Sequence, residues 1–481
     1  MKKNLKFLLV FVAVFLSLSG IAQNISKEKE SALLSAPKVD RRVELLSIVF
    51  RLAGNSEYNG EYYKNYVNDI YKHFDKYKNH PLIEFAKEMA DSNGIGYDAV
   101  MEMAIHVEQP PSLKPILPFN DSVPEQRWGA TNANKFVALL QKFYVDADCE
   151  TFFKEEENTY RIAEERFRIV FDKLDLSWYK KYYGQVPEGK FNVVIGLGNG
   201  DGNFGCKIVY PDKKENIYAI MGSWTVDSLG APIYAVKDYL PTLIHEFNHT
   251  FVNFLIFKNE KMFEESGVTI YNVVWRKMLQ QAYSNWQIMY CEALVRASVI
   301  EYLKAHDTAG GKQAEKEAME QLNNGFLWIK DLVSLLDKYE SNRRKYPTLE
   351  SFIPEIATFY NGVAKNIDTL KENYNRRCPH VASIEPFKNK DTNVNPELTE
   401  IKITFDKVLS GKGCSIGYGS KGKEYYPTIK FEGYLDNNTA IKIHIALKPN
   451  TEYQFKLLDL AFQTADGYPL EQYEVDFKTT K

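Results

Sequence analysis

The amino-acid sequence reads as an α+β protein in two parts, a mainly helical part that carries a small mixed sheet and an all-β sandwich after it. Three observations carry this reading. Apolar residues recur at helical spacing from about Val39 to Tyr183 and again from Leu240 onward. Three short β-rich runs, Phe191–Leu197, Gly205–Tyr210 and Asn216–Gly222, interrupt the helices. From Val381 the period changes to two, as in Ile401–Phe405, Ile441–Ile445 and Tyr453–Leu457, the alternation of half-buried sandwich strands. The expected divisions are a leader over residues 1–22, a first domain over 23–378 and a second over 379–481.

The chain starts with a basic stretch, Met1–Lys6, followed by the apolar run Phe7–Leu18 and small residues at Gly20 and Ala22. This is the pattern of a secretory signal peptide cleaved before Gln23, so the mature protein is expected to be exported, periplasmic or extracellular. No cysteine lies near that boundary to take a lipid, and no later apolar run is long enough to span a membrane. An apolar content of 44% with 14% aromatic residues excludes a disordered chain, while a net charge of −3 offers no general attraction for nucleic acid. The five cysteines are scattered and form neither a disulfide framework nor a C-x-x-C ligand pair, so stability must come from packed cores. Oligomeric state is not legible.

Within the helical part, Val43–Leu52, Phe136–Tyr144 and Arg161–Leu174 carry apolar stripes. Arg51 and His73 read as exposed or hydrogen-bonded partners. The proline-rich stretch Gln109–Pro124 fits neither a helix nor a central strand and reads as a surface connection. Gly198-Asn199-Gly200-Asp201-Gly202-Asn203 is followed by a strand where a phosphate-binding loop would need a helix, so it reads as a hairpin turn.

The chemistry concentrates in Leu240–Leu255, a helical run that contains His245-Glu246-Phe247-Asn248-His249. Residues i and i+4 share a helix face, so the two imidazoles can reach one metal ion while Glu246 stands beside them as a general base. Pro241 suits a first helical turn, with Asp238 as a cap or dipole partner. Leu240, Leu243, Ile244, Phe247, Phe251, Phe254 and Leu255 are expected to seat the helix. Further along, Glu292 shares a helical face with Ile288, Val295 and Val299, and a lone carboxylate in such a stripe is costly unless paired or bound to metal.

A sheet followed by this histidine helix resembles the gluzincin metallopeptidases, a likeness that covers residues 191 to about 305. The resemblance implies a zincin-like domain, a Zn2+ ion and a third ligand contributed by a glutamate on a later helix. The candidates are Glu260, Glu264, Glu265, Glu292 and Glu301, with Glu292 preferred. Glu264 and Glu265 stand beside Ser266-Gly267, which read as a helix end or turn. Arg296, four residues after Glu292, stands where thermolysin-like members place an aspartate; it either steadies Glu292 or forms an ordinary helix ion pair. An oxyanion donor is also required, and Tyr283 is preferred over Tyr290. The strand Asn216–Gly222 is expected to border the cleft and pair with an extended peptide, with Gly222 allowing a substrate backbone to approach. Residues 37 to about 375 also resemble an exported bacterial family known only as a domain of unknown function, on the strength of Val39–Ile48, His245–Asn253, Glu292 and Arg296-Ala297. The C-terminal part resembles a bacterial immunoglobulin-like domain. The implied function is zinc-dependent hydrolysis of peptide bonds with a peptide or protein as substrate. The alternative is a non-catalytic zinc-containing protein that binds a glycan or protein.

Overall fold

The computed structural model describes residues 33–184, 189–306, 310–459 and 461–481, so the signal-peptide reading of residues 1–22 lies outside the described residues. The chain is α+β and forms two compact units. The first holds the chain up to Met262 together with Tyr290–Gln313 and Leu335–Ile356; the second holds Phe263–Met289, Ala314–Ser334 and Ala357–Lys481. Among the described residues no helix is long and apolar enough to cross a membrane.

In the first unit a strand β1 (Leu34–Val39) is followed by eight helices: α1 (Arg41–Ala53), α2 (Lys64–Phe74), α3 (Pro81–Asn93), α4 (Asp98–Ile105), α5 (Gly129–Asp146), α6 (Cys149–Glu155), α7 (Glu157–Phe171) and α8 (Leu176–Tyr183). Then come β2 (Gly189–Ile195), β3 (Phe204–Val209) and β4 (Glu215–Met221), and the long helix α9 (Val236–Lys258). The four strands form one sheet in the order β1-β2-β4-β3; the first three are parallel and β3 runs antiparallel along one edge. β1 carries Pro37 and no clean alternation, which hides it in the sequence and suits it to the other edge, where a missing N–H breaks no ladder.

Two expectations about this sheet are corrected. The glycine-rich loop after β2 is not a hairpin turn, because β2 and β3 are not neighbours; the hairpin joins β3 to β4 through Tyr210–Lys214, where Tyr210 N–H donates to Lys214 O at 2.9 Å. And β4 is not a cleft edge, being paired with β2 on one side and β3 on the other. Its run Ile217–Met221 is buried throughout, as an interior strand requires, whereas β3 alternates buried and part-exposed residues. The backbone that approaches Gly222 is the chain's own. A Cβ there would lie 2.4 Å from Gly200 O and 2.8 Å from Gly202 O.

The loop after β2 is gripped from α1. Leu197 N–H and Gly198 N–H donate to the buried Glu44 carboxylate at 2.6 and 3.1 Å, and Tyr66 Oη–H donates to it at 2.7 Å. One turn along α1, Ser47 fills the space a Gly198 side chain would need, and two turns along Arg51 donates to Gly198 O at 3.4 Å and to Gly60 O at 2.9 Å. Arg51 is therefore a buried hydrogen-bonding residue, and His73 Nε2 lies 2.8 Å from Ala147 O. The proline-rich stretch runs as a loop, but Leu113 within it is fully buried.

Helix α9 begins at Val236, so Pro241 sits in its second turn rather than its first. The carbonyl that Pro241 leaves without a helical donor, that of Lys237, accepts from Gln313 Nε2 at 3.4 Å. The inner face of α9 buries Leu243, Ile244, Phe247, Val252 and Leu255, with Phe247 edge-on to Phe191 of β2 (centroids 5.1 Å apart) and Phe251 stacked on Tyr183 of α8 (4.4 Å). Phe254 is the exception among the expected core residues, 42% exposed on the outer face.

The remaining helices are α10 (Glu260–Leu279), α11 (Trp286–His306), α12 (Lys312–Asn323), α13 (Ile329–Ser341) and α14 (Leu349–Arg377). Ser266-Gly267 does not end a helix. α10 runs straight through, and Gly267 leaves room for Trp286, whose ring a Cβ would meet at 2.5 Å. In the second unit, β5 (Val381–Glu385), β6 (Glu400–Phe405), β8 (Thr428–Leu435) and β9 (Ala440–Ala446) form one antiparallel sheet in the order β5-β6-β9-β8. β7 (Ile416–Tyr418), β10 (Glu452–Leu457) and β11 (Tyr473–Lys478) form a second, in the order β11-β10-β7. Ile401, Ile403, Ile441 and Ile443 of the first sheet and Phe455, Leu457, Val475 and Phe477 of the second share one core.

Burial pushes the Glu44 carboxyl up to about 7 against the pull of its three donors. A carboxyl whose folded pKa is raised favours the native state below its unfolded pKa, and that contribution disappears as pH rises through about 7. Thermal unfolding of Glu44→Gln and wild type from pH 4.5 to 8 is therefore expected to show the variant gaining ground on wild type as pH rises. A stability difference independent of pH would contradict the burial argument.

Candidate metal centre

Helix α9 places His245 and His249 one turn apart on one face, with Nε2 atoms 3.1 Å from each other. Helix α11 brings Glu292 across from them, its Oε2 3.5 Å from His245 Nε2 and its Oε1 3.5 Å from His249 Nε2. The two helices are tied by Asn248 Nδ2, which donates to Val295 O at 3.4 Å, and the flanking residues Ala293, Leu294 and Val295 are fully buried. Three groups able to offer lone pairs thus converge in a largely dry space, the donor set of a cation site. His245, His249 and Glu292 could hold a metal ion.

The surroundings fix how each ligand presents itself. His249 Nδ1 lies 3.0 Å from Asn253 Oδ1, an acceptor, so Nδ1 carries the proton and Nε2 keeps its lone pair for the cluster. Arg296 Nη2 lies 3.3 Å from Glu292 Oε2, which makes it the cation that steadies the carboxylate. Burial, followed by the neighbouring His249 and Arg296, holds the His245 pKa well below its ordinary 6.5, so that imidazole is neutral and able to ligate near neutral pH. Glu246 is buried on the same helix. Burial pushes its carboxyl up to about 7; Glu292 pushes the same way, while His249, Arg296 and the Gly205 N–H pull it down. Gly205 has to be glycine, since a Cβ would lie 2.3 Å from Glu246 O where β3 crosses α9.

Of the five glutamates considered, Glu292 alone joins the histidines among the described residues. Glu264 and Glu265 are exposed on α10, in the second unit, and Glu260 is exposed at the start of that helix. Glu301 is 1% exposed but answers to Lys304, whose Nζ lies 3.0 Å away. Tyr283 belongs to the second unit, where its carbonyl accepts from Tyr271 Oη at 2.9 Å and its ring meets Phe326. Tyr290 is fully buried. Asn253 and Gly205 were missed by sequence reasoning. Asn253 had a usable signal, since it follows His249 by the same four residues that separate the histidines; Gly205 had none, because its neighbour Glu246 is forty-one positions away.

Fold and cluster together define an α+β protein with a candidate metal centre built on two helices. A family model matches residues 36–359, and the chain belongs to that family, DUF4932, a domain of unknown function. No curated protein matches. Among solved structures the chain is similar to the S-layer protein rSbsC(31-844), with 13% identity over 50% of this chain and 34% of that chain and a TM-score of 0.18. It is similar also to surface layer protein SbsC, domains 1-6, with 13% identity over the same shares and a TM-score of 0.17. The chain spans about a third of those chains, and likeness at this level carries no argument about fold or function.

Two outcomes follow for metal binding. Asn253→Ala frees the His249 ring to turn and is expected to weaken divalent-metal affinity about 10–100-fold by calorimetry, with helicity unchanged. Affinity is also expected to fall as pH drops, since the ligands bind only in their deprotonated forms. Titration at several pH values checks this, and a flat profile down to pH 5 would contradict the assigned ligands.

Proposed function

We propose that the protein is an exported zinc-dependent hydrolase of peptide bonds with a gluzincin-type site. The observation that carries the reading is the convergence of His245, His249 and Glu292 with Glu246 next in sequence to a ligand. The donor set suits zinc: a tetrahedron with bonds of about 2.0–2.1 Å has ligand–ligand edges of about 3.3–3.4 Å, against 3.1, 3.5 and 3.5 Å between the three groups. Zinc, when bound, supplies Lewis acidity and lowers the pKa of water.

The chain's own residues supply the rest. Glu246 takes the proton of the attacking water and passes it to the leaving amine, a role favoured by a carboxyl pushed up to about 7. The close approach of β3 at Gly205 holds the backbone of Glu246 in place, and Asn253 and Arg296 hold the ligands. The two sheets of the second unit act as an immunoglobulin-like module that spaces or binds, and the leader at residues 1–22 directs export.

Glu246→Gln keeps size and hydrogen bonding but loses the base. It is expected to bind one zinc per chain as wild type does and to lose at least about 100-fold in turnover against a peptide library. Unchanged cleavage by that variant would sink the assignment.

A further inference from the structure

The sheet ends in β1 and β3, and β3 is the end strand that crosses α9 at Glu246, so a substrate main chain that added to the sheet beside the general base would do so along β3. Its residues alternate between pairing with β4 and pointing outward. At Gly205 the strand lies against Glu246, where the crossing of α9 leaves no room for a side chain. The next outward N–H, that of Lys207, is taken: it donates to Glu102 Oε1 of α4 at 3.4 Å. One dipeptide step along the edge from the general base, about 7 Å, the pairing position is already filled.

Glu102 is placed there by its helix. Burial pushes its carboxyl up to about 8, so it stays an uncharged acid near neutral pH. His106 Nδ1 lies 2.8 Å from the main-chain oxygen of Glu102 and so braces the end of α4. The helix that carries it is anchored by Arg42, whose Nη1 donates to Ile105 O at 3.1 Å and to Val107 O at 2.9 Å. Arg42 is locked in turn by Asp40, Nη2 to Oδ2 at 2.6 Å. This gives the Val39-Asp40-Arg41-Arg42 stretch a task that metal binding alone does not explain: through α4 it keeps Glu102 on the sheet edge.

We propose that Glu102 closes the β3 edge one step beyond Gly205, so that the site accepts a chain terminus, with a residue but no extended segment on the Lys207 side of the cleaved bond. The substrate class is then a peptide end or dipeptide, cut by an exopeptidase. The proposal rests on the hydrolase reading above.

The test uses the zinc-loaded full chain and two series of peptide hydroxamates, extended by one to four residues either before or after the metal-binding group. Calorimetry on wild type is expected to show one series gaining affinity with length and the other flat beyond its first residue. In Glu102→Ala the flat series gains about tenfold, the worth of one good hydrogen-bonded step, and the Lys207 amide exchanges hydrogen faster. Glu102→Gln, whose amide oxygen still accepts from Lys207, behaves as wild type. Equal gains for both series in wild type, or a flat series unchanged in a Glu102→Ala protein with normal melting and zinc content, would overturn the proposal. Absence of zinc, or of any hydroxamate binding, would instead overturn the hydrolase reading beneath it.

Discussion

The close crossing of β3 over α9 at Gly205 and Glu246 is the constraint on which the rest of the first unit depends. It sets strand and helix backbones so near that no side chain fits between them, at the residue that follows His245. Everything that fixes β3 therefore fixes Glu246. The loop before β3 is gripped by Glu44, Ser47 and Arg51 from α1, and the strand's outer edge by Glu102 from α4. One helix thus serves both ends of the strand, since the start of α1 also anchors α4 through Arg42.

The electrostatics follow from the same dryness. The buried Glu44 and Glu246 and the half-buried Glu102 all have raised pKa values, and each lies against a different part of β3 or its approach. Glu292 differs in facing two imidazoles and a guanidinium, the environment of a metal ligand.

How much was legible in the sequence depended on how local the cause was. The histidine pair follows from the 3.6-residue turn alone, and Glu292 stood out as a carboxylate in an apolar stripe; the structure brings all three together. The helical part, the three runs around β2, β3 and β4 and the period-two C-terminal strands were also readable, because side-chain periodicity is set within a few residues. Strand order was not. Nothing local to Phe191–Gly222 says that β4 inserts beside β2, and β1 is masked by Pro37 and separated from its partner by more than a hundred residues. The helix-breaking reading of Ser266-Gly267 failed for a related reason, since the packing of Trp286 decides that glycine. Glu102 lies in a short helix with no motif, and only the fold brings it to Lys207.

The central claim is that one metal ion sits among His245, His249 and Glu292. Crystals of the zinc-loaded chain, measured on either side of the zinc absorption edge, test it most directly. The account predicts a single anomalous peak about 2.0–2.2 Å from both Nε2 atoms and from a Glu292 oxygen; a fully loaded protein with no peak there, or with its peak at other side chains, would contradict it.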